Sequence, residues 1–205
     1  MDMQQKNDNG IVLYGAGGHC KVVIDILEAL KIPLDCVVDD NPSGCSYLQY
    51  KVRKAGNVYR QMIITIGNCQ IRKKIAEHIK ADEFITAIHP SAIVSPSATI
   101  GEGTVVMPGA IINARASIGR HCIINTKASI DHECRIGDFV HIAPGATISG
   151  DVEVGEGTWI GVGTCIKQGI KIGKNCMIGA GSVVVRDIPD GVTAFGNPCK
   201  IKILN

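Results

Sequence analysis

No apolar run in the 205 residues approaches the roughly 20 needed to cross a bilayer, so a membrane-spanning helix is not expected. There is no block of Lys or Arg, the formal charge is only +2, and the aromatics are one Trp, four Tyr and three Phe. Nucleic acid would therefore find neither an electrostatic groove nor a stacking platform. The nine cysteines contain no Cys-x-x-Cys pair, and Met1 to Gly10 is polar, without the apolar stretch of a secretion signal. Disulfides and a zinc site are not expected, and free thiols in the cytoplasm are.

What is present is a repeat. Stepping by six from Ile88 through Val94, Ile100, Val106 and onward to Ile178 and Val184 meets 17 consecutive Ile or Val without an insertion. Two positions before each, from Ala92 to Ser182, stands Ala, Thr, Cys, Val, Ser or the single Ile170. An amphipathic helix needs a period of 3.6, so six with β-branched residues specifies a hexapeptide parallel β-helix, left-handed, with about 18 residues per triangular coil. In this register Cys122, Cys134 and Cys176 fill the small inward slot as buried hydrophobes.

Residues 10–84 are organised differently. Ile11-Val12-Leu13-Tyr14 reads as a buried strand, and Gly15-Ala16-Gly17-Gly18-His19 as a tight loop opening a helix with Val22, Val23, Ile26, Leu27 and Leu30 on its apolar face. A second strand, Leu34 to Val38, ends in Asp39-Asp40 and a Pro/Gly loop. A third, Met62 to Ile66, precedes Gly67-Asn68 and a helix with Ile71, Ile75 and Ile79 on one face. This alternation predicts a small Rossmann-like domain of about three parallel strands over 10–84, followed by the β-helix over 88–205.

The glycine loop lies where a helix amino end offers free N–H groups to an anion such as a pyrophosphate. It is a partial dinucleotide fingerprint, because Cys20 replaces the last glycine, and the small sheet also argues against NAD. Asp39 and Asp40, about twenty residues on, are placed to accept bonds from a nucleoside. In the β-helix, Asp131-His132-Glu133 gathers ionisable groups on an outward turn, and a histidine beside a carboxylate is a common general base. One coil later Gly150 should stack on His132, leaving room for a substrate and a bare N–H for an oxyanion. His141, half a coil from His132, should face another side of the prism. His121 has no evident partner, His78 falls on the polar face of its helix and His89 precedes a proline in the linker, and no His, Cys or carboxylate spacing suggests a metal.

These residues resemble the sugar acetyltransferases of bacterial surface-glycan pathways, among them the UDP-4-amino-sugar N-acetyltransferase of protein glycosylation and the sialic acid O-acetyltransferases. The resemblance runs from Ile11 to Lys200. Its carriers are Gly15-Ala16-Gly17-Gly18-His19, Asp39-Asp40, Ile66-Gly67-Asn68 with Ile71-Arg72-Lys73-Lys74-Ile75, Ile112-Asn113-Ala114, Asn125-Thr126, Asp131-His132-Glu133-Cys134 and Gly196-Asn197-Pro198-Cys199-Lys200. The family usually has Ala where Cys199 stands and glycine where Ala180 stands.

The resemblance implies that His132 is the general base and Glu133 its orienting partner. It implies that Gly17, Gly18, His19, Asp39, Asp40 and Gly67 line a nucleotide-sugar pocket, and that His141, Gly150, Val162 and Ala180 contact acetyl-CoA. The implied reaction is direct N-acetylation of a UDP-4-amino-4,6-dideoxy sugar, with acetyl-CoA as co-substrate and no metal. A sugar O-acetyltransferase and a non-catalytic binding protein are the alternatives. The column of Val162 and Ala180 is displaced by two-thirds of a coil from that of His132 and Gly150. If both touch one acetyl-CoA, the chain is a homotrimer with each cleft shared by two subunits.

Overall fold

A computed structural model describes residues 10–42, 46–47 and 50–202, with the backbone alone at 46, 47 and 51. The polar amino terminus and most of the Pro/Gly loop after Asp40 lie outside the described residues. No helix among the described residues is long and apolar enough to cross a membrane.

The amino-terminal domain runs β1 (Ile11–Tyr14), α1 (Gly18–Leu30), β2 (Leu34–Asp39), β3 (Ser46–Tyr47), β4 (Tyr50–Lys54), β5 (Val58–Ile64), α2 (Cys69–His78) and β6 (Lys80–Phe84). The expected three strands are six, in the order β3-β4-β2-β1-β5-β6, parallel except for the β3–β4 pair. The third expected strand begins at Val58 and stops at Ile64, earlier at both ends than its apolar residues suggest. Its first half is half-exposed, Val58 being 74% accessible, so the apolar run shows only the buried half.

The inner face of α1 is Cys20, Val23, Ile24, Ile26 and Leu27, with Val22 and Leu30 partly buried beside it. The second helix departs from expectation. Ile75 and Ile79 pack against the sheet, but Ile71 is 49% exposed, and the side chains α2 buries are Cys69 and Arg72, which face the β-helix. The neighbouring surface for that side is a wall of backbone carbonyls, which selects a donor rather than a hydrophobe.

From Ala87 the chain winds into two-residue strands whose partners lie a constant 18 residues away, as in Val105 with Ile123, Ile111 with Ser129 and Ser117 with Arg135. Three parallel sheets result. The first face contains the strands beginning at Ala87, Val105, Ile123, His141, Trp159 and Met177 and ends with Thr193–Phe195 and Lys200–Ile201. The second contains those beginning at Ile93, Ile111, Ser129, Thr147, Cys165 and Val183. The third contains those beginning at Thr99, Ser117, Arg135, Glu153 and Lys171. In each pair the first residue points out and the second in, because side chains alternate along a strand. The inward Ile and Val from Val106 to Val184, and the small residues from Thr104 to Ser182, form one buried core. Each such Ile or Val contributes about 1.5–3 kcal/mol by leaving water.

At successive corners from Gly103 to Gly181 every sixth residue has positive φ: seven are glycines, and the others are Arg115, His121, Lys127, Glu133, Phe139, Asp151 and Asn175. A residue with a Cβ pays about 1–2 kcal/mol in that conformation, so each of the seven is a local cost. The amino-terminal domain covers the first face, where Ala87, Val105, Met107 and Ile123 share a core with Ile11, Leu13, Val23 and Ile63. Lys73 pairs with Glu156 at 2.6 Å and Gln70 bonds Asn175 at 2.7 Å along one edge.

Candidate active site

The first cluster forms where the amino-terminal domain meets the β-helix. α1 starts at Gly18 with no side-chain cap and no acidic residue in its first turn, so its amino end remains suited to an anion. A Cβ on Gly17, Gly18 or Gly67 would meet nothing within 4 Å, whereas one on Gly15 would strike Ile66 Cδ1 at 2.3 Å. Gly15, at φ +109°, is thus the turn glycine, and the other three border open space.

Asp39 is committed to the loop itself. Its Oδ2 accepts from the Ala16 N–H at 2.8 Å and its Oδ1 from the Asn41 N–H at 2.9 Å. The neighbouring Asp40 Oδ1 accepts from the Tyr14 hydroxyl at 2.7 Å, and burial together with that carboxylate raises the Tyr14 pKa far above its usual value. Both carboxylates keep lone pairs for a further donor.

His141 projects from the first face toward this loop. Its Nδ1 is 3.3 Å from the Gly67 carbonyl, its Nε2 is 3.0 Å from Asn125 Nδ2, and its ring lies 4.2 Å from that of Trp159. Burial, then Arg72, lowers its pKa to about 4. His19 is the loop's own imidazole; its Nε2 is buried without a hydrogen-bond partner among the described residues, and burial, His141 and Arg72 lower its pKa to about 3. Sequence reasoning missed Arg72 and Trp159. The 18-residue step could have found Trp159 above His141, but nothing in the sequence marks Arg72 as buried.

The second cluster lies on the corner between the second and third faces. His132 Nδ1 is 3.4 Å from Glu133 Oε2, both side chains about half-exposed. Glu133 takes φ +62°, which turns its side chain back along the corner, and Arg115 one coil below is 3.6 Å from it. Asp131 accepts from the His132 N–H at 2.8 Å and from Asn113 Nδ2 at 2.9 Å, and these bonds lower its pKa. A carboxylate beside Nδ1 favours the tautomer with the proton there, and that tautomer leaves Nε2 its lone pair, as a base requires.

The expected open space at Gly150 is filled, and the sequence reading is corrected there. A Cβ on Gly150 would stand 2.5 Å from His132 Cε1 and 2.6 Å from Nε2. Corner residues 18 apart are neighbours, and the imidazole folds along its column onto the next coil, so the glycine makes room for the base. Asp151 N–H donates to His132 O at 2.9 Å, whereas the Gly150 N–H donates to no group among the described residues.

His121, expected to lack partners, is instead packed between Phe84 (4.6 Å, edge-on) and Phe139 (5.1 Å, stacked). Burial lowers its pKa to about 4, and its Nδ1 has no hydrogen-bond partner among the described residues. Val162 and Ala180 are exposed on the corner between the first and second faces, joined through the Gly181 N–H to Val162 O at 2.8 Å. A groove of about 720 Å³ on the third face holds none of the candidate residues; an Arg135–Glu153–Lys171 ladder of 2.5 and 3.2 Å spans it. No group of three or more His, Cys, Asp or Glu that could hold a metal occurs among the described residues.

One chain therefore does not bring the two clusters together. His19, Gly67 and His141 meet against the first face, while His132, Glu133 and Gly150 occupy the corner opposite that face.

Residues 10–79 match the PglD N-terminal domain family, and residues 115–150 and 151–186 match the bacterial transferase hexapeptide (six repeats). Among curated proteins, UDP-N-acetylbacillosamine N-acetyltransferase of Bacillus subtilis (strain 168) is 46% identical over 109 residues, 47% of this chain and 50% of that one. The match thus spans half the length of that relative. Among solved structures, a perosamine N-acetyltransferase variant from Caulobacter crescentus in complex with CoA and GDP-perosamine is 40% identical, with a TM-score of 0.87 over 94% of this chain and 96% of that one. The acetyltransferase domain of PglB from Neisseria gonorrhoeae FA1090, in complex with acetyl coenzyme A, is 36% identical, with a TM-score of 0.85 over 95% of this chain and 99% of that one.

Proposed function

Because the chain belongs to the sugar N-acetyltransferases that join a PglD N-terminal domain to hexapeptide transferase repeats, we propose that it transfers acetyl from acetyl-CoA to the amine of a nucleotide-activated 4-amino-4,6-dideoxy sugar. The observation that carries this reading is the His132–Glu133 pair, a half-exposed base with its carboxylate, set over a glycine whose N–H is unused. The sugar amine attacks the thioester carbonyl carbon while His132 Nε2 removes its proton. The Gly150 N–H stabilises the oxyanion, the C–S bond breaks, and the imidazolium returns the proton to CoA as thiol. No covalent enzyme intermediate is required.

The nucleotide sugar sits against Gly17, Gly18, His19, Asp39, Asp40 and Gly67, with its diphosphate at the amino end of α1. Acetyl-CoA runs past His141, Val162 and Ala180. Since these lie on or beside a corner that the second face separates from His132, the cleft takes His132, Glu133 and Gly150 from a neighbouring chain. A homotrimer closed on its second faces satisfies this. That face suits contact between copies: its outward residues Ile93, Ile111, Ser129, Thr147, Cys165 and Val183 carry no charge, whereas the third face carries the ionic ladder. The eight described cysteines are free, which supports a cytoplasmic setting.

The test is CoA release from acetyl-CoA across a panel of UDP- and GDP-linked amino sugars. Release should require the amine and fail with the corresponding hydroxy sugar. Release with sialic acid but with no amino sugar would replace this reading by O-acetylation.

A further inference from the structure

The buried side of α2 carries one cation, and no carboxylate among the described residues pairs with it. Arg72 is 1% exposed, yet each nitrogen of its guanidinium meets a carbonyl. Nε donates to His121 O at 2.8 Å, Nη1 to Ile66 O at 2.8 Å and to Gly67 O at 2.9 Å, and Nη2 to Phe139 O at 2.8 Å and Val140 O at 3.5 Å. Two of these carbonyls belong to the loop after β5 and three to the β-helix. The planar five-donor fork therefore joins the domains, which the point charge of a lysine could not reproduce.

The Gly67 carbonyl that Arg72 holds is also the partner of His141 Nδ1. A carbonyl only accepts, so Nδ1 must carry the ring proton. Nε2 is then the acceptor, in agreement with Asn125, which turns its amide nitrogen to Nε2 and gives its Oδ1 to the Thr126 N–H at 2.8 Å. We infer that Arg72 is a positioning residue: by pinning the Gly67 carbonyl it fixes the Nδ1–H tautomer and ring orientation of His141, and so sets the acceptor loop against the acyl-donor wall of the cleft. This role rests on the function proposed above, but the tautomer does not.

The charged or titratable groups facing His141 are Arg72 and Cys69 from α2 and His19 from α1, and the β-helix contributes the neutral Asn125 and Trp159. Burial, then the Arg72 charge, disfavours the imidazolium, so the ring remains a neutral, oriented imidazole across the physiological range.

Nitrogen-15 spectra of histidine-labelled wild-type protein without substrates, with His141 assigned through His141→Asn, should show one neutral Nδ1–H tautomer at pH 7. An Nε2–H tautomer or an imidazolium would overturn the inference whatever the enzyme acetylates. In Arg72→Lys, which keeps the charge and loses the fork, the spectrum should become a tautomer mixture, and kcat/KM should fall tenfold or more for both substrates. If folded Arg72→Lys retains the single tautomer and kcat/KM within twofold, Arg72 only fastens the domains and the inference fails. Should Arg72→Lys not fold, Asn125→Ala supplies the second arm. With Gly67 still pinned the tautomer should persist, and its loss would assign the orienting role to Asn125.

Discussion

The imidazole of His132 occupies the space that a side chain at Gly150 would need, with Nε2 2.6 Å from the site of that absent Cβ. Gly150→Ala should therefore push the ring off its column. Turnover is expected to fall tenfold or more, while the melting temperature changes little because the group that must yield, the His132 ring, is half-exposed and can swing into solvent. A Gly150→Ala enzyme with unaltered kcat would mean that the ring needs no seat there.

His132→Ala should lower kcat by about 100-fold or more, the usual contribution of a general base, and leave the KM for acetyl-CoA within about twofold. Glu133→Ala should lose less, since it removes only the partner at Nδ1. Steady-state kinetics over pH 6–9 check both, and a His132→Ala enzyme retaining most of its turnover would refute the mechanism.

Glu133 sits at φ +62°. Glu133→Gly removes the left-handed cost, so the folded state should gain up to about 1 kcal/mol by urea titration while turnover falls. Loss of stability would show that the Arg115 and His132 contacts outweigh the backbone strain.

Asp39→Ala frees the Ala16 and Asn41 N–H groups that shape the glycine loop. The apparent KM for the nucleotide sugar should rise far more than that for acetyl-CoA. Equal rises for both would move the nucleotide away from this loop.

Inactive His132→Ala chains mixed with inactive Ala180→Trp chains should regain part of the activity once subunits exchange, because some clefts receive both intact halves. Verified exchange without recovery would place each site within a single chain.

Stability should also respond to acid. Burial lowers the His121 and His141 pKa values from 6.5 to about 4, so the unfolded chain binds more protons than the folded one in that window. Stability is full above pH 6.5 and should fall toward pH 4 by about 1.4 kcal/mol per pH unit for each group. His121→Asn, which tolerates the residue's positive φ, should give a shallower slope in urea melts at pH 7, 5.5 and 4.5. An unchanged slope would mean that His121 does not titrate out of register with the unfolded state.

The β-helix was legible because one requirement, an inward β-branched residue, recurs at a fixed step from Ile88 to Val184, and the same step placed His132 beside Gly150. The sheet was less so. Strands β4 (Tyr-Lys-Val-Arg-Lys) and β6 (Lys-Ala-Asp-Glu-Phe) bury too little to leave an apolar signature, and both lie toward the edges of the sheet. The reading paired His132 with Glu133, whose side chains do lie 3.4 Å apart, but left empty the space the ring itself fills. Arg72, quoted only as part of a resembling segment, was given no role because its environment is made of carbonyls, which belong to the fold and to no particular residue.

The 18-residue step also governs how such a chain can change length. Removing or adding a whole coil above Gly150 would shift everything beyond it by one strand spacing, about 4.8 Å along the axis, with every side chain still on its original face. One extra residue within a strand pair would turn each later inward Ile toward solvent and carry Val162 and Ala180 off their corner. Length variation in this half of the molecule is thus quantised in coils, and whole-coil changes would move the acetyl-CoA contacts proposed at Val162 and Ala180 along the axis without disturbing His132.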